Sequence, residues 1–370
     1  MTEQFQEGVL LLEDGTIYKG RAFGARTHKV GEVVFNTAMS GYQEALTDPS
    51  YAEQILVMTY PHIGNTGVNL EDIESDRLWV HGFVAKRFQD TPSNHRSTQS
   101  LEEYLIANQI PSLHGIDTRA LVRHLRDKGA MKGVICTDGT DMAKLQAQMN
   151  DWGGMVGRNL GEEVCATETY IAYSPKTPRA TVNVIDAGCK RNIVRLLKSA
   201  NCKVRVVPIT ADQTEWIQNC DFLFLSNGPG DPASLTNAIE KIKTSFGKKP
   251  ILGICLGHQL LSLALGATTY KLPFGHRGIN HPVRDEDTGR VEISSQNHGF
   301  CVDRESLLKS GAEITHINLN DNTVAGMRHQ GLKIMGVQFH PEACPGPNDS
   351  AHWVIEKGLD FALSKAEPAK

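Results

Sequence analysis

The stretch Pro250-Ile-Leu-Gly-Ile-Cys-Leu-Gly-His-Gln-Leu-Leu-Ser262 constrains the fold more than any other part of the chain. Ile251 to Ile254 read as a strand buried on both faces, and from about Leu256 the pattern turns helical. Cys255 lies in the turn between them, within Gly253-Ile254-Cys255-Leu256-Gly257. A side chain on so sharp a strand-to-helix elbow stands clear of the backbone, and the glycines let neighbouring segments pass without a Cβ clash. At a helix N-terminus the sulfur faces free N–H donors and partial positive charge, which favour thiolate over thiol. A small, buried, apolar cysteine fits the same pentapeptide, so both readings stay open at this point.

Length and charge bound what such an elbow can belong to. With 370 residues, 40% of them hydrophobic, the chain can bury two cores. A formal net charge of −4 with 22% charged residues argues against a nucleic-acid binder. Met1 to Gly8 has no basic segment followed by an apolar one, so no signal peptide is expected. No uncharged apolar run approaches the roughly 20 residues that a membrane span needs. Eight cysteines without regular spacing suggest reduced thiols and a cytoplasmic protein. No C-x-x-C pair occurs, so no structural zinc site is expected, and His258, three residues past Cys255, lacks further ligands.

The first half reads as β-rich. Val9 to Lys19 holds Asp14-Gly15 between two apolar runs, a hairpin signal, and Val33-Val34-Phe35 and Ile55 to Tyr60 are further strands. Ser100 with Glu103 predicts a capping box, and Asp117 caps a helix through Leu125 that Gly129 ends. Three loops, Phe35 to Glu44, Leu46 to Tyr51 and Thr59 to Asn65, crowd polar side chains and turn formers. Such loops can bind something or be ordinary turns, and Asp48-Pro49-Ser50 fits a type I turn.

The texture changes near Thr167 to Ala180, which is polar and carries two prolines. The expected division is a mixed, β-rich domain over 1–166, a linker over 167–180, and a doubly wound α/β domain over 181–370. Val182 to Asp186, Lys203 to Val207, Asp221 to Leu225 and Ile251 to Ile254 are its strands, with a helix from Arg191 to Ser199. Ligands of such sheets sit at the carboxyl ends of strands, where both Cys255 and the loop Ser226-Asn-Gly-Pro-Gly-Asp-Pro232 fall. That loop lacks the lysine of a phosphate-binding loop. Its glycines suit exposed N–H donors for an oxyanion, or simply a strand-ending turn. Further on, Val337-Gln-Phe-His-Pro-Glu-Ala343 supplies His340 and Glu342, a base and an orienting acceptor for a thiol nucleophile.

Gly253-Ile-Cys-Leu-Gly-His-Gln259 with His340-Pro-Glu342 resembles the class I (triad) glutamine amidotransferase family over roughly 181 to 365. Leu12-Glu-Asp-Gly15, Gly31 to Thr37, Gly41-Tyr-Gln-Glu44, Thr47 to Ser50 and Tyr60 to Asn65 resemble the small, glutaminase subunits of carbamoyl-phosphate synthetases. The resemblance implies Cys255 as nucleophile, His340 as general base and acid, and Glu342 as its orienting carboxylate. It implies oxyanion donors at Gly228 and Leu256, and glutamine contacts at Ser50, Gly230, Gln259, Asn297, Gly299 and Phe300. It further implies a heterodimer, or a higher assembly, with a large subunit that holds ATP and Mg²⁺, no cofactor in this chain, and ammonia passed between subunits. His276 and His281 fall in a family loop and are expected to be structural or positioning. Whether the product serves arginine synthesis, pyrimidine synthesis or both is open. The alternatives are an amidotransferase of the GMP, anthranilate or CTP type, which residues 1 to 150 oppose, and an inactive regulatory homologue.

Overall fold

The computed structural model describes residues 6–351 and 353–364. Residues 1–5 of the expected non-signal N-terminus and 365–370 of the expected second domain lie outside the described residues. By internal contacts the chain forms two compact units. One comprises Met1–Val156 and Pro273–Arg277, the other Gly157–Leu272 and Gly278–Lys370.

The first unit contains nine short strands, β1 (Glu7–Leu12), β2 (Ile17–Gly24), β3 (His28–Asn36), β4 (Gln54–Met58), β5 (His62–Ile63), β6 (Gly82–Val84), β7 (Arg87–Phe88), β8 (Pro111–His114) and β9 (Met131–Cys136). Seven close into a barrel in the order β1-β2-β8-β6-β4-β3-β9, while β5 and β7 pair separately. The Asp14-Gly15 hairpin is present, with Leu11 opposite Ile17. Alternation along the strands turns Leu10, Leu12, Val33, Ile55, Val57, Val84 and Ile135 into one core, joined by Leu121 and Leu125 of the helix Thr118–Lys128. Asp117 caps that helix through the Ala120 N–H, Gly129 follows it, and the Ser100–Glu103 capping box is formed in both directions. Asp48-Pro49-Ser50 is one 3₁₀ turn over Pro49–Tyr51, closed by a Ser50 N–H to Asp48 Oδ1 bond of 2.9 Å.

The second unit is built on a ten-stranded sheet. Its strands are β10 (Tyr170–Tyr173), β11 (Thr181–Asp186), β12 (Lys203–Pro208), β13 (Phe222–Leu225), β14 (Ile251–Ile254), β15 (Thr269–Asp285), β16 (Val291–Val302), β17 (Glu313–Asn318), β18 (Val324–His329) and β19 (Ile334–Val337). The order is β10-β12-β11-β13-β14-β19-β18-β17-β15-β16. β12, β11, β13, β14 and β19 are parallel, as expected of a wound α/β sheet. Successive residues face opposite sides: Val182, Val184, Phe222, Phe224, Leu252 and Ile254 enter one core, Ile185, Leu223, Leu225 and Ile251 the other. Helix Arg191–Ser199 covers the first face through Ile193 and Leu197. Helices Thr236–Ser245 and Leu256–Ala264 cover the second through Ile242, Leu260 and Leu261.

Beyond β19 the sheet continues in antiparallel fashion through β18, β17 and β15. By internal contacts the second unit begins at Gly157, which donates to Asp231 Oδ2 at 2.9 Å, and Gly161 lies against Leu235. Part of 167–180 is a strand. Tyr170–Tyr173 pairs with β12 as an edge strand, and its exposed position is why it reads as polar connection.

Candidate active site

At the end of β14 the backbone turns so sharply that Cys255 takes φ 52° and ψ −104°. For a residue with a Cβ this conformation costs about 1–3 kcal/mol, held in place by its surroundings. The Cys255 N–H donates to Val337 O at 2.8 Å, and its C=O accepts from the Gln259 N–H at 3.1 Å. The flanking glycines are sterically required. A Cβ on Gly253 would lie 2.7 Å from the Gly257 carbonyl carbon, and one on Gly257 would strike the Leu225 carbonyl oxygen. Gly257→Ala is therefore expected to lower the unfolding free energy by about 1–3 kcal/mol, the range for overpacking. Urea denaturation measures this, and an unchanged midpoint would contradict the packing of this helix on β13.

Three more strand ends surround the elbow. After β19 come His340 and Glu342, both fully buried. His340 Nδ1 lies 2.6 Å from Glu342 Oε1. A proton on Nδ1 suits that contact, which makes Nε2 the nitrogen left to exchange a proton. Nε2 is buried and has no hydrogen-bond partner among the described residues, and the same holds for Glu342 Oε2. After β11 comes Lys190, also buried, with Nζ 3.3 Å from His340 Nδ1 and 3.4 Å from Glu342 Oε1. Asn192 Nδ2 donates to the Glu342 backbone oxygen. After β13 comes the loop with Gly228, whose Cβ would meet Ala187 O. The N–H groups of Gly228 and Leu256 donate to no acceptor among the described residues.

The charges are coupled. Burial and the Lys190 ammonium oppose a protonated His340, but the Glu342 carboxylate and the Cys255 sulfur outweigh them and raise its pKa above the ordinary histidine value. Burial likewise opposes an ionised Glu342, and His340 and Lys190 outweigh it, holding that carboxyl below its ordinary range. A cysteine, an imidazole that can keep a proton and an orienting carboxylate are the parts of a thiol nucleophile with its base.

The other sequence-derived positions are placed as follows. Cys255 Sγ lies 3.6 Å from Asn297 O on β16. Gln259 Nε2 donates to Phe300 O at 2.8 Å and to Gln338 Oε1 at 3.0 Å, so it ties the elbow helix to β16. Gly299 lies between Asn297 and Phe300 on the same strand. Gly230 has φ +89°, and a Cβ there would lie 2.6 Å from Arg158 O. Ser50 is buried in the first unit, in the Pro49–Tyr51 turn. His258 is fully buried against Gly336, with neither ring nitrogen hydrogen-bonded among the described residues and its pKa pushed down to about 3 by burial. Among the described residues no group of three or more His, Cys, Asp or Glu side chains is placed to hold a metal, and no helix is long and apolar enough to cross a membrane. None of the eight cysteines is in a disulfide among the described residues, and Cys344 is exposed. Lys190 was missed by the sequence reading. Its signal is its place in the loop after the first parallel strand, where carboxyl-end chemistry gathers.

An elbow cysteine backed by His340 and Glu342 at the ends of parallel strands defines a domain of the glutamine amidotransferase class, and residues 183–356 match the family model described as glutamine amidotransferase class-I. Residues 10–135 match that of the carbamoyl-phosphate synthase small chain, CPSase domain. The carbamoyl phosphate synthase small chain of Syntrophotalea carbinolica is 50% identical over 368 residues, covering 96% of this chain and 97% of that one. The protein of that name from Nostoc sp. is 51% identical, covering 92% of each chain, and the one from Clostridium perfringens 47% identical, covering 96% and 99%. The chain belongs to the carbamoyl phosphate synthase small chain family.

Proposed function

We propose that this chain is the glutaminase subunit of a cytoplasmic, glutamine-dependent carbamoyl-phosphate synthase. The Cys255 thiolate attacks the side-chain amide carbon of L-glutamine, and the N–H groups of Gly228 and Leu256 hold the resulting oxyanion. His340 protonates the leaving nitrogen, so ammonia departs and a γ-glutamyl thioester remains on Cys255. The same imidazole then takes a proton from water, whose oxygen attacks the thioester and releases glutamate. Gln259, Asn297, Gly299, Phe300 and Gly230 hold the substrate. ATP, Mg²⁺ and bicarbonate belong to a large-chain partner, which receives the ammonia and forms carbamoyl phosphate.

The observation that carries this reading is the buried His340–Glu342 pair beside a strained Cys255. The test is a product assay of this chain with the large chain of its own organism. Carbamoyl phosphate should form from glutamine or from ammonia. Glutamine-dependent formation of GMP, anthranilate or CTP with those acceptor subunits, and none of carbamoyl phosphate, would overturn the assignment.

A further inference from the structure

The barrel unit holds a cavity of about 540 Å³ with no part in the chemistry above, lined by Thr59, Thr118, Arg119, Val122, Arg123 and Arg126. Arg119, Arg123 and Arg126 are spaced i, i+4, i+7 on the helix Thr118–Lys128 and so share one face. All three are exposed, in a chain whose net charge is negative. Arg126 pairs with Asp127 at 2.9 Å, whereas Arg119 and Arg123 have no ion-pair or hydrogen-bond partner among the described residues. No carboxylate lines the cavity.

Helix stability does not account for this arrangement. Arg119 is the second helical residue, where the macrodipole disfavours a cation, and the first turn has no acidic residue. Arg119 and Arg123 also repel one another at i, i+4. The hydroxyls point the same way. Thr118 is only 6% exposed, lines the cavity, and its side chain has no hydrogen-bond partner among the described residues. Thr59, which also lines the cavity, is equally without a side-chain partner among the described residues. Three guanidinium forks and two hydroxyls around an apolar Val122 form a concave surface rich in donors, with no anionic acceptor in its lining among the described residues.

We propose that this cationic concavity is where the large-chain partner docks, through an acidic segment whose carboxylates enter between Arg119 and Arg123. The proposal rests on the subunit reading given above. Carboxylates in fork contact with arginine satisfy the unpartnered groups together, and arginine is enriched among the residues that dominate interface energetics. A protein segment suits the site better than a diffusing anion, because Arg119 and Arg126 lie two turns of helix apart.

The test measures binding of the intact chain to the large chain of the same organism by calorimetry or sedimentation. Arg119→Glu/Arg123→Glu is expected to weaken the complex at least ~100-fold. Arg119→Gln/Arg123→Gln should weaken it ~10-fold or more and flatten its salt dependence. Both variants should keep the wild-type circular dichroism and melt no lower than the wild type, since the side chains are exposed and their removal relieves the dipole and i, i+4 repulsion. Equal affinity of wild type and both variants would overturn the docking surface. So would thermal stabilisation of the isolated wild-type chain by inorganic phosphate that the variants lose while large-chain affinity stays unchanged. Failure of the wild-type chain itself to bind would overturn the subunit reading instead, so the two failures are distinguishable.

Discussion

Cys255→Ala is expected to lower glutamine hydrolysis by roughly 10⁴-fold or more, the scale seen when a nucleophile of a catalytic triad is removed. The loss should fall on kcat, because the substrate contacts proposed at Gln259, Asn297 and Phe300 come from other residues. Carbamoyl phosphate formation from free ammonia, with the large chain present, should persist, since that chemistry does not pass through the thiol. The substitution also alters the base. Part of what raises the His340 pKa is the Cys255 sulfur, so without it the imidazole pKa falls from its raised position, with Glu342 alone left to oppose burial and Lys190. An NMR titration of His340 would read that downward shift directly. Glutamine turnover within tenfold of wild type, or loss of the ammonia-dependent reaction along with it, would show that Cys255 is not the nucleophile.

The elbow was legible in the sequence because each of its parts has a local cause. Gly253 and Gly257 are where a Cβ has no room, Ile251 to Ile254 are apolar on both faces, and Cys255 is the one residue between strand and helix. The caps at Ser100 and Asp117 were legible for the same reason, since a cap is a contact across three residues. Closure of the first unit into a barrel was not, because pairings such as β1 with β9 join residues more than a hundred apart. The antiparallel extension escaped notice because β15 and β16 are long, half-exposed and mixed in polarity, so no apolar run marks them. Lys190 escaped because a lysine in a loop is ordinarily solvated, and only the fold delivers it to a carboxylate 152 positions on. The residues of the site that carry a motif are readable, whereas the residue that adjusts their charge is visible only in three dimensions.

That adjustment gives the second large effect. Glu342→Gln keeps the shape of the side chain but removes the charge that both His340 and Lys190 face. Breaking a buried pair from one side costs about 3–5 kcal/mol, because the remaining charge is left uncompensated in the interior. The pH dependence follows from the directions of the two shifts. His340 is raised above its ordinary 6.5, so its contribution to stability is complete below about 6.5 and is lost as pH rises through the folded value. Glu342 is depressed below its ordinary 4.5, so its contribution is complete above about 4.5 and is lost as pH falls through the folded value. Both contributions are whole only between those two ordinary values. The wild type should therefore exceed Glu342→Gln in stability by its largest margin there, with the gap narrowing at either side in denaturation across pH. Activity should fall with stability controlled for, by about 10²–10⁴-fold in kcat and little in KM. A glutamine side chain neither fixes the Nδ1–H tautomer of His340 nor stabilises the imidazolium that protonates the leaving ammonia. A variant with an unchanged pH–stability curve and kcat within threefold of wild type would mean that the 2.6 Å contact between His340 and Glu342 does not govern the base.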